Sequence, residues 1–357
     1  MSIVKRLLTV LLAACIAVSA TVGCGVCAAE ESSTATPLIG DANQDGKVNL
    51  LDIVAIRKKL ALYDTQIDLV QADLDYDFRL TVLDLLYERK LLAKIYTQEE
   101  LYLDNTGGNN YAKNPDYKLV WSDEFNGTKL DTDTWVYEMG YVRNNEPQAY
   151  TNRKDNVEVA NGYLRLSATV KVSNVSGEAK YYSGSVNTSG KKSFKYGVIE
   201  MRAKLPSSKS NPVAAWPAFW MMGTRSYWPA CGETDILEMY GQNYKKYEAN
   251  VHWADESGNH VHLWTTDGKL PTYYHYEDLG DTWHTYGVEW TEEYMRFYCD
   301  NTTLGTIDIT GKDQTELHYS NFILLNLALQ PGSISKAKTT DFPVDYLIDY
   351  VRVYQKK

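Results

Sequence analysis

Cysteine is scarce in this sequence of 357 residues. Only five cysteines are present, and three of them, Cys15, Cys24 and Cys27, lie in a short N-terminal segment. The remaining pair, Cys231 and Cys299, is too few for a disulfide-rich scaffold. We expect two separate buried thiols, with a single bridge between them as the alternative.

Long apolar runs are also missing. The longest extends from Leu7 to about Ala20, after Lys5 and Arg6, and is too short to span a membrane. It is typical of a secretory signal peptide, which we assign to residues 1–28 with cleavage after Ala28 or Ala29. A lipoprotein signal acylated at Cys24 is the alternative. The sequence therefore predicts a secreted, extracellular protein with no membrane span.

Basic residues are fewer than acidic ones, 36 against 46. The formal net charge is −10, and loss of Lys5 and Arg6 with the signal peptide brings it to −12. Such a balance argues against nucleic acid or anionic membranes as partners. Aromatic residues, in contrast, are plentiful, with 28 Tyr and 9 Trp. They suit a β-rich core or platforms on which sugar rings stack.

Three acids stand close together in an apolar and aromatic segment that runs from Trp228 to Gly241. Glu233, Asp235 and Glu238 have Ile236, Leu237, Met239 and Tyr240 as neighbours. A solvated strand face would carry polar neighbours, and burying carboxylates without a partner is costly. These acids are therefore candidates for catalysis.

Their spacing predicts a distorted strand. Side chains alternate between the faces of a strand, so Glu233 and Asp235 share a face and Glu238 has the wrong parity. One extra residue, a β-bulge near Ile236 or Leu237, would return Glu238 to that face. On a concave sheet, with both side chains leaning inward, the carboxyl groups of the two glutamates could approach to about 5–5.5 Å, the separation that retaining glycosidases use.

The segment after the signal contains two acidic loops at a repeat distance of 32 residues. Oxygen ligands occupy the loop positions typical of an EF-hand calcium site, with Gly46 at position 6 of the first loop. The predicted ligands of the first loop are Asp41, Asn43, Asp45, the Lys47 carbonyl, Asn49 and Asp52. Those of the second loop are Asp73, Asp75, Asp77, the Arg79 carbonyl, Thr81 and Asp84. Phe78 replaces the glycine there, which predicts a weaker site.

Each loop is followed by one predicted helix, Leu51–Leu60 or Val82–Ile95. This duplicated pattern resembles the dockerin modules of cellulosomal enzymes. We assign it to residues 38–97 as a small all-α calcium-binding module, with a polar linker over 98–116. The resemblance implies calcium-dependent docking onto a cohesin domain of a scaffoldin. Dockerins often carry hydroxyl residues at loop positions 10 and 11, where this chain has Leu50–Leu51 and Val82–Leu83, so the cohesin class is left open.

Residues 117–357 read as an all-β domain. Short runs with alternating apolar and polar residues recur between turn clusters, for example at 156–160, 163–167, 196–203 and 284–290. No stretch of comparable length shows helical periodicity. A domain of this size with many strands predicts a β-sandwich or jelly roll.

This domain resembles glycoside hydrolase family 16, the laminarinase and lichenase group. The resemblance is carried in order by the segments at 121–127, 144–151, 196–206, 216–220, 232–238, 283–290 and 349–354. It implies a bent two-sheet jelly-roll β-sandwich with an open cleft for a polysaccharide. The five-residue spacing of Glu233 and Glu238 resembles the laminarinase side of the family, which also includes agarases and carrageenases.

Site residues follow from the same resemblance. Glu233 would be the nucleophile and Glu238 the general acid/base, with Asp235 between them tuning their protonation; spacing alone cannot assign these roles. Substrate contacts would come from Asn144, Arg202, Trp216, Trp220, Trp228 and His252. For several of these a purely structural role is the alternative, and at least one Trp is expected in the core, as is His284. Glu124 and Asp349 match a structural calcium site on the convex side.

The expected function is a secreted, retaining endo-β-glucanase that cleaves β-1,3 or mixed β-1,3-1,4 glucans and docks to a cellulosome. Calcium would be structural, and the chemistry would need no cofactor. The chain departs from laminarinase-type members at Tyr141-Val142-Arg143 and at 326–332, both in predicted cleft loops. Hydrolysis of xyloglucan, agarose, other galactans or carrageenan therefore remains an alternative, as does a non-catalytic glucan-binding module.

Overall fold

The structure is a computed structural model that describes residues 38–69, 71–74, 80–97, 101, 111–112, 114–207, 213–262, 268–275, 278–280 and 282–357. The predicted signal peptide and three predicted ligands of the second loop, Asp75, Asp77 and Arg79, lie outside these residues. The chain divides into two compact units, Met1–Thr106 and Gly107–Lys357. Within the described part, no helix is both long and apolar enough to cross a membrane.

The first unit contains two helices, α1 (Leu50–Leu60) and α2 (Val82–Leu92). The two begin in the same way, because loop position 9 caps the helix and loop position 12 closes a capping box. Asn49 and Asp52 form this box in α1, and Thr81 and Asp84 form it in α2. Such reciprocal bonds satisfy backbone amides that a helix N-terminus leaves free. The sequence repeat is therefore also a structural repeat.

A small core joins the two halves of the first unit. It contains Ala42, Ile56, Ala72, Leu74 and Leu101, each with no exposed surface. Leu101 falls within the segment predicted as a linker, yet it packs into this core. At the other end of that segment, Tyr111 is buried in the second unit against Tyr117, with ring centroids 5.2 Å apart.

The second unit is built from two sheets. Its strands are β1 (Tyr117–Asp123), β2 (Val136–Tyr137), β3 (Gln148–Tyr150), β4 (Val157–Ala160), β5 (Tyr163–Val172), β6 (Ala179–Ser183), β7 (Ser185–Asn187), β8 (Gly197–Lys204), β9 (Ala215–Gly223), β10 (Glu233–Glu238), β11 (Lys246–Ala254), β12 (His260–His262), β13 (Thr272–Tyr274), β14 (His284–Trp290), β15 (Tyr294–Cys299), β16 (Thr302–Asp308), β17 (Asn321–Leu329) and β18 (Val344–Lys356). Short 3-10 turns lie at Thr315–His318, Ile334–Lys336 and Thr339–Asp341.

One sheet has ten strands in the order β16-β15-β14-β8-β18-β5-β6-β3, with β1 beside β18 and β4 beside β5. The other has eight, in the order β12-β11-β10-β9-β17-β7-β2, with β13 beside β11. All pairings of the eight-stranded sheet are antiparallel. The mainly β, two-sheet sandwich expected from the sequence is confirmed.

The main core lies between the sheets. The alternation of side chains along β9 distinguishes the inner face of the eight-stranded sheet from its outer face. Phe219 and Met221 belong to the main core, whereas Ala218 and Trp220 form a separate apolar cluster with Leu324 of β17. Alternate residues of one strand point to opposite faces. The second cluster therefore lies on the outer face of the eight-stranded sheet, the face that carries the acids. Cys231 and Cys299 are buried and unbridged, as expected.

Candidate active site

The predicted bulge is present in β10. Against β9, Asp235 pairs with Trp220 and Leu237 pairs with Phe219, so two steps on β10 meet one step on β9. Ile236 and Leu237 both enter the main core with at most 1% of their surface exposed. Burying two consecutive apolar side chains is what turns Glu238 back to the outer face. The prediction made from parity alone is confirmed.

The register of the neighbouring strands places the acids in rows that run across the sheet. Residues paired across strands share a face. The row through Glu233 reads Phe322, Met222, Glu233, His252 and His262. The row through Asp235 reads Asn187, Leu324, Trp220, Asp235 and Asn250. The row through Glu238 reads Ser185, Asn326, Ala218, Glu238, Glu248 and Thr272.

Glu233 stands at the start of β10 and is half-buried. Trp228, which is 50% exposed, donates an indole hydrogen bond to Glu233 Oε2. Burial, and next the charge of Asp235, raise the pKa of Glu233 from 4.5 to about 8. The carboxyl therefore exchanges its proton near neutral pH, and it can attack a substrate only in its ionised form.

Asp235 is only 3% exposed. Its Oδ2 lies 2.9 Å from His252 Nε2, and it shares a side-chain hydrogen bond with Glu233. Burial raises the pKa of Asp235 from 3.8 to about 7. Glu233 and Asp235 thus titrate in the same pH range, and at neutral pH the two carboxyl groups share a proton.

Glu238 lies at the far end of β10. Trp216 Nε1 donates a hydrogen bond to Glu238 Oε1 over 2.9 Å, and the Trp216 ring lies against Tyr240 with centroids 5.5 Å apart. Burial, and next the charge of Asp235, raise the pKa of Glu238 well above its ordinary 4.5. This carboxyl therefore keeps its proton to a higher pH than an ordinary glutamate does, as a general acid must, and it lies on the same face as Glu233.

The sequence-predicted binding residues do not all reach this face. Trp216, Trp228 and His252 do, since they contact the three acids directly. Trp220 is also on it but only 5% exposed, with Nε1 bonded to Asn326 Oδ1 at 2.7 Å. It is the floor of the site, in line with the expectation that one Trp is structural. Asn144 is exposed in the loop between β2 and β3 and reaches Glu146 at 3.3 Å.

Arg202 requires a correction. It lies on β8 in the ten-stranded sheet, away from the acids, and its side chain is 9% exposed. Its Nη1 donates to Asp349 Oδ2 over 2.8 Å, and its guanidinium lies 5.4 Å from the ring of Trp283. Such a buried ion pair holds strands together rather than meeting a substrate. The substrate contact predicted for Arg202 is wrong.

The expected calcium site of Glu124 and Asp349 is not supported either. Asp349 is the partner of Arg202, and Glu124 accepts two hydrogen bonds from Arg352 at 3.0 and 2.9 Å. Each carboxylate therefore faces a guanidinium, which repels a cation and already balances the charge. His284 is 6% exposed and bonded to Asp300 at 2.8 Å, as expected for a core histidine.

Several residues on the outer face were not predicted from the sequence. His260 and His262 lie on β12, which pairs with β11 and so places them beside His252. This pairing is not evident from the local sequence pattern. Arg143, noted only as a departure, lies with its guanidinium 5.0 Å from the Trp220 ring and is ion-paired with Glu138. Asn326 accepts from Trp220 and donates to the Tyr150 hydroxyl at 3.2 Å. The one available signal was the alternation of His260-Val261-His262, which places both histidines on one face.

A cavity of about 650 Å³ adjoins Glu233 at one end of its row. Its lining includes Met222 and Phe322 from the row of Glu233, together with Lys191, Lys192, Tyr227 and Trp228. Tyr227 is 90% exposed. Exposed aromatic side chains beside a cavity with both polar and apolar lining suit the stacking of sugar rings.

The carboxylates of the first predicted calcium loop accept hydrogen bonds from backbone amides of the same loop. Asp41 accepts hydrogen bonds from the amides of Asp45 and Gly46, and Asp52 accepts from those of Asn43 and Asn49. These bonds curl the loop around its carboxylates. The predicted ligands are all oxygen atoms, which suits calcium. In the second loop, Asp73 is 7% exposed and Asp84, in the α2 capping box, is fully buried.

Two sheets packed face to face, with three acids on the outer face of one bulged strand, form the kind of carboxylate site that glycosidases use. The comparisons agree with this class. The family model "Beta-porphyranase A-D, GH16 domain" matches residues 117–356, and the model "Dockerin type I domain" matches residues 39–92. The chain belongs to glycoside hydrolase family 16 and carries a type I dockerin, a domain type that binds calcium.

Individual relatives are similar over about two thirds of the chain. A glucan endo-1,3-beta-glucosidase A1 of Niallia circulans is 31% identical over 270 residues, covering 67% of this chain but only 38% of that protein. A beta-glucanase of Rhodothermus marinus is 32% identical over 270 residues, covering 70% of this chain and 89% of that protein. The crystal structure of SCLam, a non-specific endo-beta-1,3(4)-glucanase, superposes with a TM-score of 0.59 at 32% identity, covering 68% of this chain and 92% of SCLam.

Proposed function

We propose that the second unit is a retaining endo-β-glucanase that cleaves internal β-1,3 or mixed β-1,3-1,4 bonds. The observation that carries this proposal is the shared outer face of Glu233 and Glu238, each of which accepts an indole hydrogen bond. The printed activities of the two relatives and of SCLam support the choice of β-glucan as substrate. The raised pKa values of the acids support an acid–base role near neutrality.

In the first step, ionised Glu233 attacks the anomeric carbon of the sugar. The glycosidic C–O bond breaks, and Glu238 gives its proton to the departing oxygen. For this step the proton that the two acids share has to move from Glu233 to Asp235, which leaves Glu233 charged. In the second step, Glu238 removes a proton from water, the resulting hydroxide adds to the anomeric carbon, and Glu233 is released. Only polysaccharide and water are consumed.

Substitution of the acids tests this proposal. Glu233→Gln and Glu238→Gln should each lower kcat by about 10²–10⁴, the usual contribution of such groups. Glu158→Gln is the matched control, because Glu158 belongs to an ion pair with Arg165 on the ten-stranded sheet. If Glu238→Ala processes glucan as the wild type does, the second unit is a binding module and the enzyme proposal fails.

Hydrolysis of a galactan is the second candidate. The matched family model is described as a β-porphyranase domain, and Arg143 places a cation over Trp220 on the face that carries the acids. A panel of laminarin, lichenan, xyloglucan, agarose, carrageenan and porphyran separates the candidates. Highest kcat/KM on laminarin or lichenan supports the glucanase, and highest kcat/KM on a galactan replaces it.

For the first unit, we propose that calcium is held by Asp41, Asn43, Asp45, Lys47, Asn49 and Asp52. A second ion would use the corresponding residues of the second loop, from Asp73 to Asp84. Bound calcium supplies positive charge that draws the loop oxygens together. The residues of the chain fix the loop through their amide bonds and start the two helices.

We also propose that the dockerin binds a cohesin domain through an apolar surface on the helix starts. Leu50, Leu51 and Val54 are 71%, 59% and 44% exposed, and their repeat partners Val82, Leu83 and Leu86 are 71%, 53% and 44% exposed. Six exposed apolar side chains at equivalent positions are typical of a partner site. EDTA should abolish cohesin binding, as should Leu51→Asp together with Leu83→Asp; binding that survives both treatments contradicts the proposal.

The proposed location is extracellular and associated with a cellulosome. The dockerin is the feature that supports it. The N-terminal signal would direct secretion, and N-terminal sequencing of the secreted chain would test the cleavage after Ala28 or Ala29. A chain that starts at an acylated Cys24 would instead indicate a lipoprotein.

A further inference from the structure

The contacts of Asp235 continue outward through two imidazole rings. His252 Nε2 lies 2.9 Å from Asp235 Oδ2, and His252 Nδ1 lies 2.8 Å from His260 Nε2. The two rings are stacked, with centroids 5.0 Å apart. His260 is exposed, so a line of hydrogen bonds connects a buried carboxyl with an imidazole that meets solvent.

Trp228 closes this line into a ring of contacts. Its indole lies on His260 with centroids 4.6 Å apart, and its Nε1 donates to Glu233 Oε2. Glu233 is in turn hydrogen-bonded to Asp235. The same two residues, His260 and Trp228, therefore support both the middle acid and the proposed nucleophile. Hydrogen bonds arranged in this way strengthen one another.

The positions of the protons follow from the pairing. Two neutral imidazoles that meet nitrogen to nitrogen share one proton between those atoms. If His260 Nε2 carries it, His252 Nδ1 accepts, and the only proton of His252 sits on Nε2, where it is donated to Asp235. The other oxygen of Asp235 is then left for the proton shared with Glu233. The opposite tautomer of His252 would compete for that shared proton.

We propose that His260 is a positioning residue that fixes the Nε2–H tautomer of His252 and thereby keeps the shared proton between Asp235 and Glu233. This inference rests on the proposed hydrolase function and names a residue that acts through others. His260 does not itself touch the reacting atoms. Its contribution is to keep His252 a donor to Asp235, so that the shared proton is directed at Glu233 and not at His252 Nε2.

The groups that face the two imidazoles are consistent with both being neutral. From β10, His252 meets Glu233, Asp235 and Glu238. From β12, His262 lies with its ring 5.7 Å from that of His252 and 5.9 Å from that of His260. Asn250 of β11 approaches His262 Nδ1 at 3.4 Å. Burial lowers the pKa of His252 and of His260, and for His260 the neighbouring imidazoles lower it further.

The test compares His260→Leu with His260→Gln in the full-length chain. Leucine keeps an apolar side chain beneath Trp228 but has no donor, whereas glutamine keeps a donor that cannot become an imidazolium. Glu256→Gln is the control, because Glu256 is exposed in the turn that joins β11 to β12 and lies outside the rows of acids and imidazoles. The measurements are kcat and KM on the preferred polysaccharide, the pH profile of kcat/KM, and nitrogen-15 NMR of the His252 ring, which reports its tautomer.

With His260→Leu, we expect kcat to fall by about tenfold with KM changed less than about twofold, as for loss of an orienting partner. The acid limb of the kcat/KM profile should move to higher pH. When His252 competes for the proton of Asp235, Glu233 loses the hydrogen bond from Asp235 that favours its charged form. The His252 spectrum should change from one tautomer to a mixture. His260→Gln and Glu256→Gln should resemble the wild type in all three measurements.

An unchanged His252 spectrum in His260→Leu overturns the inference, and so does a change in KM alone or an equal loss in Glu256→Gln. The NMR measurement needs no turnover, so it separates this inference from the proposed function. A wild type that hydrolyses nothing in the substrate panel, yet shows a single His252 tautomer that His260→Leu disperses, would retain the positioning role and reject the hydrolase.

Discussion

Trp216 Nε1 donates a hydrogen bond to Glu238 Oε1 over 2.9 Å. This bond stabilises the charged form of Glu238 and lowers its pKa, against the larger effects of burial and of the Asp235 charge, which raise it. The proposed general acid is thus balanced between two opposing influences. A proton held too firmly would be slow to leave, and one held too weakly would be absent at neutral pH.

Trp216→Phe tests the opposing effects on the pKa of Glu238, because phenylalanine keeps a ring against Tyr240 but donates no hydrogen bond. Loss of a bond to the carboxylate raises the pKa of Glu238 further, so the alkaline limb of the kcat profile should move to higher pH by about one unit. Trp220→Phe is the control, since its indole bonds Asn326 and not an acid of β10. A downward shift, or an equal shift in both variants, would contradict the role given to Trp216.

Arg202→Ala should destabilise the second unit without weakening substrate binding. Arg202 and Asp349 are 9% and 11% exposed in their side chains, and removing one partner of a buried pair costs about 3–5 kcal/mol. Denaturant unfolding followed by tryptophan fluorescence measures this loss. Arg165→Ala is the control, because its partners are more exposed and such pairs contribute about 0–1 kcal/mol. A rise in KM with unchanged stability would restore Arg202 to the substrate site.

Glu88→Ile should stabilise the first unit. Glu88 is fully buried, both of its carboxyl oxygens lack a hydrogen-bond partner, and its repeat counterpart 32 residues earlier is the buried Ile56. Replacing an unsatisfied buried polar group with an apolar one should raise the free energy of unfolding by about 1–3 kcal/mol. Amide hydrogen exchange of α1 and α2 in the full-length chain, with excess calcium, measures the gain.

Glu88→Gln is the control for this gain, since it keeps the size of the side chain and leaves polar atoms buried, and it should show no comparable increase in protection. Asp52 and Asp41 are charged neighbours of Glu88. If Glu88→Ile instead lowers calcium affinity and protection, the carboxylate serves the calcium loop and our account of it is wrong.

Local pattern was sufficient for much of the fold and for the acids. The period of two in a strand is rigid enough that the odd spacing of Glu233 and Glu238 required a bulge, which β10 contains. The capping residues Asn49 and Thr81 similarly mark where α1 and α2 begin. Both features depend on bonds between residues a few positions apart, so the sequence carries them directly.

Other parts of the site depend on which strands become neighbours. Arg202 occupies a position that resembles a substrate contact, yet β8 joins the ten-stranded sheet and turns this side chain to Asp349. His260 meets His252 only because β12 pairs with β11 in a particular register. Such long-range pairings cannot be read from the local pattern, and His260 and His262 were therefore missed while His252 and the acids were found.

The central claim is that Glu233 and Glu238 act from one face as nucleophile and general acid/base. The most direct test is proton NMR of the first sugar released from a β-glucan, recorded before mutarotation. Our account predicts the β anomer, which means retained configuration and carboxyl groups about 5–5.5 Å apart. Release of the α anomer would mean direct attack by water and would contradict the role assigned to Glu233.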